Sequence, residues 1–386
     1  MRALVYERSL PRFAAARVAG ALAPGRGATV GPLHLADVDP PELPGPGWVR
    51  VRPRLAGICG SDLATVDGRT SRYFEPLVSF PFTPGHEVVG ELDDGTRVVL
   101  EAVLACGPRG IDPPCRQCAA GHTQRCERQS FGLLEPGLQT GYCADTGGGW
   151  GAWFVAHESQ LHRVPDDLSD EAAVLVEPAA CAVHAARSVP PADAVAVVGA
   201  GTLGLCTIAA LASLPQRPEL LLATAKHPEQ RALARSLGAD VVVEPDELAR
   251  AVRRTTGSMR AGAQLTGGMP AVVDCVGSED SVASALSVVA PGGTVVLLGM
   301  PGRVSIDLTP LWHREVRLVG SYAYGEEVGG RTFDLAFDLV REAGLERLLS
   351  ATYPLDRFEE ALAHAAEAGR RGAVKIAFDL RGERRR

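Results

Sequence analysis

Four cysteines crowd one stretch of the chain: Cys106, Cys115, Cys118 and Cys126. Thiolates at such short spacings close a tetrahedral zinc site, which leaves no position open for chemistry. Cys106 is the expected fourth ligand, with His122 and Cys143 as the other donors nearby. A second set of metal-ligating residue types is spread more widely. Cys59 and Ser61 stand in Gly57-Ile58-Cys59-Gly60-Ser61-Asp62, His86 and Glu87 in Pro84-Gly85-His86-Glu87, and Glu177 in Val176-Glu177-Pro178. A thiolate, an imidazole and a carboxylate can hold a zinc ion with an open position, where the metal works as a Lewis acid. Each residue alone also has a plainer reading, as a buried thiol, a core histidine or an ion-pair partner.

A third constellation is Gly199-Ala200-Gly201-Thr202-Leu203-Gly204. It follows an apolar run and opens a helical pattern, the context that makes a G-x-G-x-x-G informative. Gly199 permits a tight turn, Gly201 lets the backbone approach a pyrophosphate, and Gly204 lets helix and strand pack closely. Thr202 and Leu203 begin the helix whose N-terminus favours the anion. In NAD-selective domains an acid about 20 residues further on binds the ribose hydroxyls. That count lands on Leu222-Ala223-Thr224-Ala225-Lys226-His227, which has no carboxylate, and Glu229 lies beyond Pro228. Lys226 offers a cation, His227 a second donor and Thr224 a hydroxyl, so NADP is the expected coenzyme, with NAD possible.

These residues need elements to hold them. From Ala194 onward apolar strands alternate with helices: 194–198, 202–214, 220–223, a helix opening at Pro228, 241–243, 271–276, 279–289, 294–298 and 316–319. Continuous apolar strands with helices between them predict an α/β, doubly wound parallel sheet covered on both faces. The preceding part is rich in Gly, Pro and short alternating runs such as Trp48–Arg52 and Arg97–Leu100, the texture of a mostly-β domain. Two helices, 332–343 and 358–368, and a strand at 373–378 are expected to rejoin it. The expected division is therefore 1–178 with 320–386, and 179–319, consistent with 386 residues at roughly 150 per domain.

In order along nearly the whole chain, Gly-Ile-Cys-Gly-Ser-Asp, Gly-His-Glu, Cys-x-x-Cys with its following Cys, Glu-Pro and Gly-Ala-Gly-Thr-Leu-Gly resemble the zinc-dependent medium-chain dehydrogenase/reductase superfamily. The resemblance implies a GroES-like catalytic domain with a structural-zinc lobe and a Rossmann coenzyme domain. It implies a zinc- and NAD(P)-dependent enzyme that moves hydride between a secondary alcohol and the coenzyme. Cys59 and His86 then hold catalytic zinc, with Glu177 as a third ligand or Glu87 coordinating directly, as in polyol-dehydrogenase-like members. Ser61 receives the alcohol proton and Asp62 orients a ligand. Glu87 and Glu177 make the site more like those of polyol, sugar or aminocyclitol dehydrogenases. Trp150 and Trp153 read as buried packing. Two departures stand out. Eight residues separate Cys106 from Cys115, where the commonest pattern has two. Ala64 stands where some alcohol dehydrogenases carry the histidine that ends the proton relay, so the proton must leave by another route.

The remaining readings are exclusions. With 39 Lys+Arg against 46 Asp+Glu, a net charge of −7 disfavours nucleic-acid binding. The basic run Arg381–Arg386 reads as a solvated tail. Charges interrupt Met1–Arg8 before an apolar signal segment forms. The uncharged run 194–215 is better explained as strand, turn and buried helix than as a membrane span. The cysteine cluster fits a reducing cytoplasm, and a homodimer or homotetramer acting on a small-molecule alcohol is expected. Two other functions remain: a zinc-free quinone or enoyl reductase of the same superfamily, and a non-enzymatic nucleotide-binding protein on this scaffold. The metal-ligating residues argue against both.

Overall fold

The computed structural model describes residues 1–262, 264–327 and 329–383. Its contacts divide the chain into two units, residues 1–177 with 344–386 and residues 178–343.

The second unit is built on six parallel strands. In sheet order they are Val241–Val243, Leu220–Thr224, Ala194–Val198, Met269–Asp274, Val289–Leu297 and Arg317–Gly320. Numbered along the chain this order is 3-2-1-4-5-6, the doubly wound arrangement, whose strand order reverses beside the first strand. Helices Thr202–Ala212, Pro228–Ser236, Leu248–Thr256 and Glu279–Val288 lie between the strands in sequence. Val195 to Val197 and Val272 to Asp274 are fully buried, as expected of strands covered on both faces. The uncharged run divides into strand Ala194–Val198 and helix Thr202–Ala212. No helix among the described residues is long and apolar enough to cross a membrane.

The first unit centres on the long strand Trp48–Gly57. Its first half pairs antiparallel with Phe154–His157 and its second half with Val88–Glu91. The register shifts between Pro53 and Leu55, where proline has no N–H to give the ladder. On the other edge Leu55 to Gly57 pair with the returning C-terminal strand Lys375–Asp379. Arg97–Leu100 and Leu161–Arg163 continue the sheet beyond Val88–Glu91. Val51, Ala56, Val88, Leu100, Trp150 and Phe378 share one apolar core. Trp150 is wholly buried, edge-on to Phe378 at 5.1 Å, with its indole N–H donating to Gly57 O at 3.3 Å.

Three features differ from the sequence expectation. Residues 320–343 group with the second unit, not the first. Helix Thr332–Ala343 turns Phe333, Ala336, Phe337 and Val340 inward and packs near Thr202–Ala212. A helix at Leu10–Leu22 has no strong apolar stripe: Leu10, Val18 and Leu22 are exposed, and only Ala16 and Gly20 are buried. What fixes the chain after it is Asp67, fully buried, which accepts the N–H groups of Gly25 and Gly27 at 2.9 and 3.0 Å. Third, Arg381 is no free tail. It pairs with Asp379 at 2.7 Å and Glu171 at 2.9 Å, while residues 384–386 of the basic run lie outside the described residues.

Candidate active site and metal centre

Strand Trp48–Gly57 delivers the chain directly to Cys59, which starts helix Gly60–Val66. The Asp62 carboxylate accepts the Cys59 N–H at 3.0 Å, fixing the thiol at the helix entrance. His86 follows Gly85, whose φ of +100° suits glycine, and a Cβ there would sit 2.5 Å from Trp150 Cδ1. These two segments bring Cys59 and His86 together. Burial opposes a charge on His86, but Asp62 and then Cys59 outweigh it and hold its pKa well above the usual range. His86 Nδ1 is buried without a hydrogen-bond partner, 3.4 Å from Asp62 Oδ1, while Nε2 faces the Ser61 hydroxyl at 3.5 Å. A soft thiol and an imidazole set among acids form a donor set that suits a divalent cation.

Glu87, the residue expected to coordinate directly, is engaged by a cation instead. Its Oε2 is paired with Lys375 Nζ, and both side chains are 2% exposed. Lys375 also donates to Ile58 O at 3.1 Å. Burial disfavours the ammonium, but Glu87, with Cys59 and Glu177 behind it, holds the Lys375 pKa above its usual value. Glu177, buried in the first turn of helix Val176–Ser188, is therefore within electrostatic range of the same lysine. Sequence reasoning missed Lys375, whose only signal was a cation inside an otherwise apolar strand. It also missed Tyr142. That phenol lies 3.3 Å from both Asp62 Oδ1 and Thr65 Oγ1, and its ring tilts against His86 with centroids 6.0 Å apart.

The cysteine lobe is the one group of three or more His, Cys, Asp or Glu donors gathered at metal-binding distance among the described residues. Cys106, Cys115, Cys118 and Cys126 offer sulfurs all within 4.8 Å of one another. Cys106 and Cys126 are 3.7 Å apart; tetrahedral zinc with bonds of about 2.3 Å sets its sulfurs roughly 3.8 Å apart. Backbone N–H groups of Cys115, Cys118, Glu127 and Arg128 point at these sulfurs at 3.3–3.5 Å, a setting made for thiolates. The donors fit a metal, and Cys106 completes the set despite its long spacing. Cys143 instead packs with Trp48, Leu104, Leu134 and Val155.

In the second unit Gly199 has φ +92°, and a Cβ on Gly204 would lie 1.9 Å from Gly199 O. The turn thus requires glycine at both ends, while Gly201 faces open space and caps the helix that Thr202 and Leu203 begin. Thr224 is not available as a ligand hydroxyl: it is buried and accepts the Gly199 N–H at 2.9 Å. Lys226 is exposed and His227 partly so. Arg231, missed in the sequence, donates to Ala225 O and Lys226 O at 3.2 and 3.1 Å and pairs with Glu244 at 3.0 Å.

Two family descriptions match the chain: an alcohol dehydrogenase GroES-like domain over residues 45–166, and a zinc-binding dehydrogenase over 202–342. The chain belongs to the zinc-dependent medium-chain dehydrogenase/reductase superfamily. It is an oxidoreductase of that family, a user of zinc and a nicotinamide coenzyme. It is 28% identical to L-idonate 5-dehydrogenase of Vitis vinifera, over 87% of this chain and 89% of that protein. It is 28% identical to sorbitol dehydrogenase of Arabidopsis thaliana, over 90% and 93%. Its structure resembles a zinc-binding dehydrogenase of Sinorhizobium meliloti bound to NADP, with a TM-score of 0.70, 25% identity and coverage of 90% and 96%.

Two outcomes are expected of the enzyme. Cys115→Ser should lower the enzyme's zinc content and its thermal stability, because a closed site contributes folding energy; metal analysis and a melting curve check it. Lys375→Met should cost about 3–5 kcal/mol by leaving the Glu87 carboxylate buried and unpaired. Glu87→Gln added to it should recover much of the lost thermal midpoint.

Proposed function

We propose that the enzyme oxidises a secondary alcohol of the polyol, sugar or aminocyclitol class, passing hydride to NADP, and reduces the matching ketone in reverse. The observation that carries this reading is the pairing of Cys59 with His86, whose Nε2 faces the Ser61 hydroxyl at 3.5 Å. Cys59 and His86 would hold the catalytic zinc, with Glu177 as the third protein ligand. Cys106, Cys115, Cys118 and Cys126 would hold the structural one. Zinc, when bound, supplies Lewis acidity that eases loss of the alcohol proton.

The chain's own residues do the rest. Ser61 takes the alcohol proton, standing beside the imidazole that would hold the metal. Asp62 orients His86 and the Cys59 backbone together. Lys375 draws Glu87 aside, so a coordination position stays available to substrate. Gly199, Gly201, Thr202, Leu203 and Gly204 receive the pyrophosphate. Lys226 and His227 meet the 2′-phosphate, on a loop that Arg231 holds in shape. An exposed lysine where NAD-selective domains place an acid supports NADP. Buried acids around Cys59 and His86, with relatives named for idonate and sorbitol, support a polyhydroxylated substrate.

We place the enzyme in the cytoplasm, a reading supported by the gathered thiols of Cys106, Cys115, Cys118 and Cys126, a cluster that suits metal binding in a reducing compartment. A homodimer or homotetramer is supported by strand Arg317–Gly320, exposed along its length and, among the described residues, paired on one side, an edge open to a second copy.

A panel of polyols, sugars and aminocyclitols, assayed with both coenzymes at the reduced-nicotinamide absorbance, tests the reading. Activity should depend on zinc and show the higher kcat/KM with NADP. Lys226→Ala should weaken NADP more than NAD. A higher kcat/KM with NAD in the unmodified enzyme would overturn the coenzyme assignment.

A further inference from the structure

Ala64 stands five positions after Cys59 and is 7% exposed, so no histidine there can carry the alcohol proton outward. The structure nevertheless holds a line of hydroxyls leading away from Ser61. Ser61 and Thr65 are four apart on helix Gly60–Val66 and so share one face. The Tyr142 phenol stands beside both: it is near the Ser61 side chain and lies 3.3 Å from Thr65 Oγ1. Thr65 Oγ1, which donates to Ser61 O at 2.9 Å, lies 3.0 Å from Thr70 Oγ1, so its O–H has two acceptors to turn between. Ser61 borders His86, Tyr142 is buried, and Thr65 and Thr70 are partly exposed.

We propose that Ser61, Tyr142, Thr65 and Thr70 form a hydroxyl relay that carries the alcohol proton to solvent, in place of the missing histidine. The inference rests on the alcohol-oxidising reading above. Each hydroxyl has one proton to give and lone pairs to accept another. Ser61 takes the substrate proton and gives its own to the Tyr142 oxygen. Tyr142 gives its proton to Thr65, Thr65 to Thr70, and Thr70 to water. At each oxygen one O–H bond forms as another breaks, and no residue changes charge. With the hydride delivered to the coenzyme, one proton is released per turnover. At rest the phenol donates to Asp62 Oδ1 at 3.3 Å, and its O–H turns to Thr65 as the proton passes. The 3.3 Å contact with Thr65 is long, but catalytic hydrogen bonds often tighten only in the substrate complex. Ser61 and Tyr142 serve the proton at its source, while Thr65 and Thr70 complete its path.

The test compares isosteric pairs. Thr65→Val and Thr70→Val remove a hydroxyl and keep the shape, whereas Thr65→Ser and Thr70→Ser keep the hydroxyl. Tyr142→Phe removes only the phenolic oxygen. The two valine variants and Tyr142→Phe should each lower kcat about tenfold or more, with KM, zinc content and thermal midpoint close to the unmodified values. The serine variants should hold most of the rate. The solvent deuterium isotope effect of the unmodified enzyme should show several protons in flight, and fewer in the valine variants. Should Tyr142→Phe fail to fold, the partly exposed Thr70 pair carries the comparison. Thr65→Val and Thr70→Val variants with the unmodified rate and isotope effect would overturn the relay alone. An unmodified, zinc-loaded enzyme that takes hydride from no alcohol would overturn the functional reading beneath it.

Discussion

A single buried ammonium ties the catalytic segments together. Lys375 lies on the strand that re-enters the first unit after the chain has built the second, 288 residues beyond Glu87 and 317 beyond Ile58. It holds the carbonyl just before Cys59 and the carboxylate just after His86. Backbone bonds from Gly57 N to Glu87 O at 2.8 Å and from Ile58 N to Ile376 O at 2.9 Å run beside it. An ion pair this deep gains little net stability over a well-packed apolar pair, but losing one partner is severe. Its value is geometric: the two segments that carry Cys59 and His86 are correct only when the C-terminal strand is home.

The same pair sets the electrostatics. Asp62, Glu87 and Glu177 are buried acids near one thiol and one imidazole. Lys375 offsets one of these charges and a proton on His86 a second, which still leaves negative groups in excess around Cys59. Such a surplus is costly in a dry interior unless a cation joins it. That is the physical argument for the zinc proposed at this site, and for how the acid that follows His86 can be turned aside without stripping the site of carboxylate.

How much of this was legible depended on whether a residue's job lies in its own neighbourhood. The coenzyme turn was, because Gly199 and Gly204 answer to local sterics and the strands around them are continuous apolar runs. The boundaries of Ala194–Val198 and Val241–Val243 follow from the same pattern. The role of Glu87 was not, since its partner is hundreds of residues away. Thr224 reads as a free hydroxyl until the turn folds over it and Gly199 donates to it. Tyr142 follows no motif at all, and only the tertiary fold sets its phenol between helix Gly60–Val66 and His86. The helix Leu10–Leu22 escaped notice because it buries an alanine and a glycine, and small residues leave no amphipathic signature.

The cysteine lobe shows how an altered spacing can keep its chemistry. Eight residues stand between Cys106 and Cys115, too many for one tight turn, so the loop needs its own support. Arg109, inside that loop and wholly buried, supplies it. Its guanidinium donates to Leu104 O, Phe131 O, Leu134 O and Gly137 O at 2.7–3.1 Å. Its backbone is held from both sides, by Arg109 N to Ala105 O at 3.3 Å and Leu133 N to Arg109 O at 3.0 Å. A planar fork with five donors suits such a ring of carbonyls, where the compact ammonium of a lysine would leave several unmet. Burial pulls the Arg109 pKa down, and the thiols of Cys143, Cys126 and Cys106 oppose that pull. A tetrathiolate zinc centre carries net negative charge. The one residue that organises the inserted loop therefore also places a cation beside the centre that the loop must close.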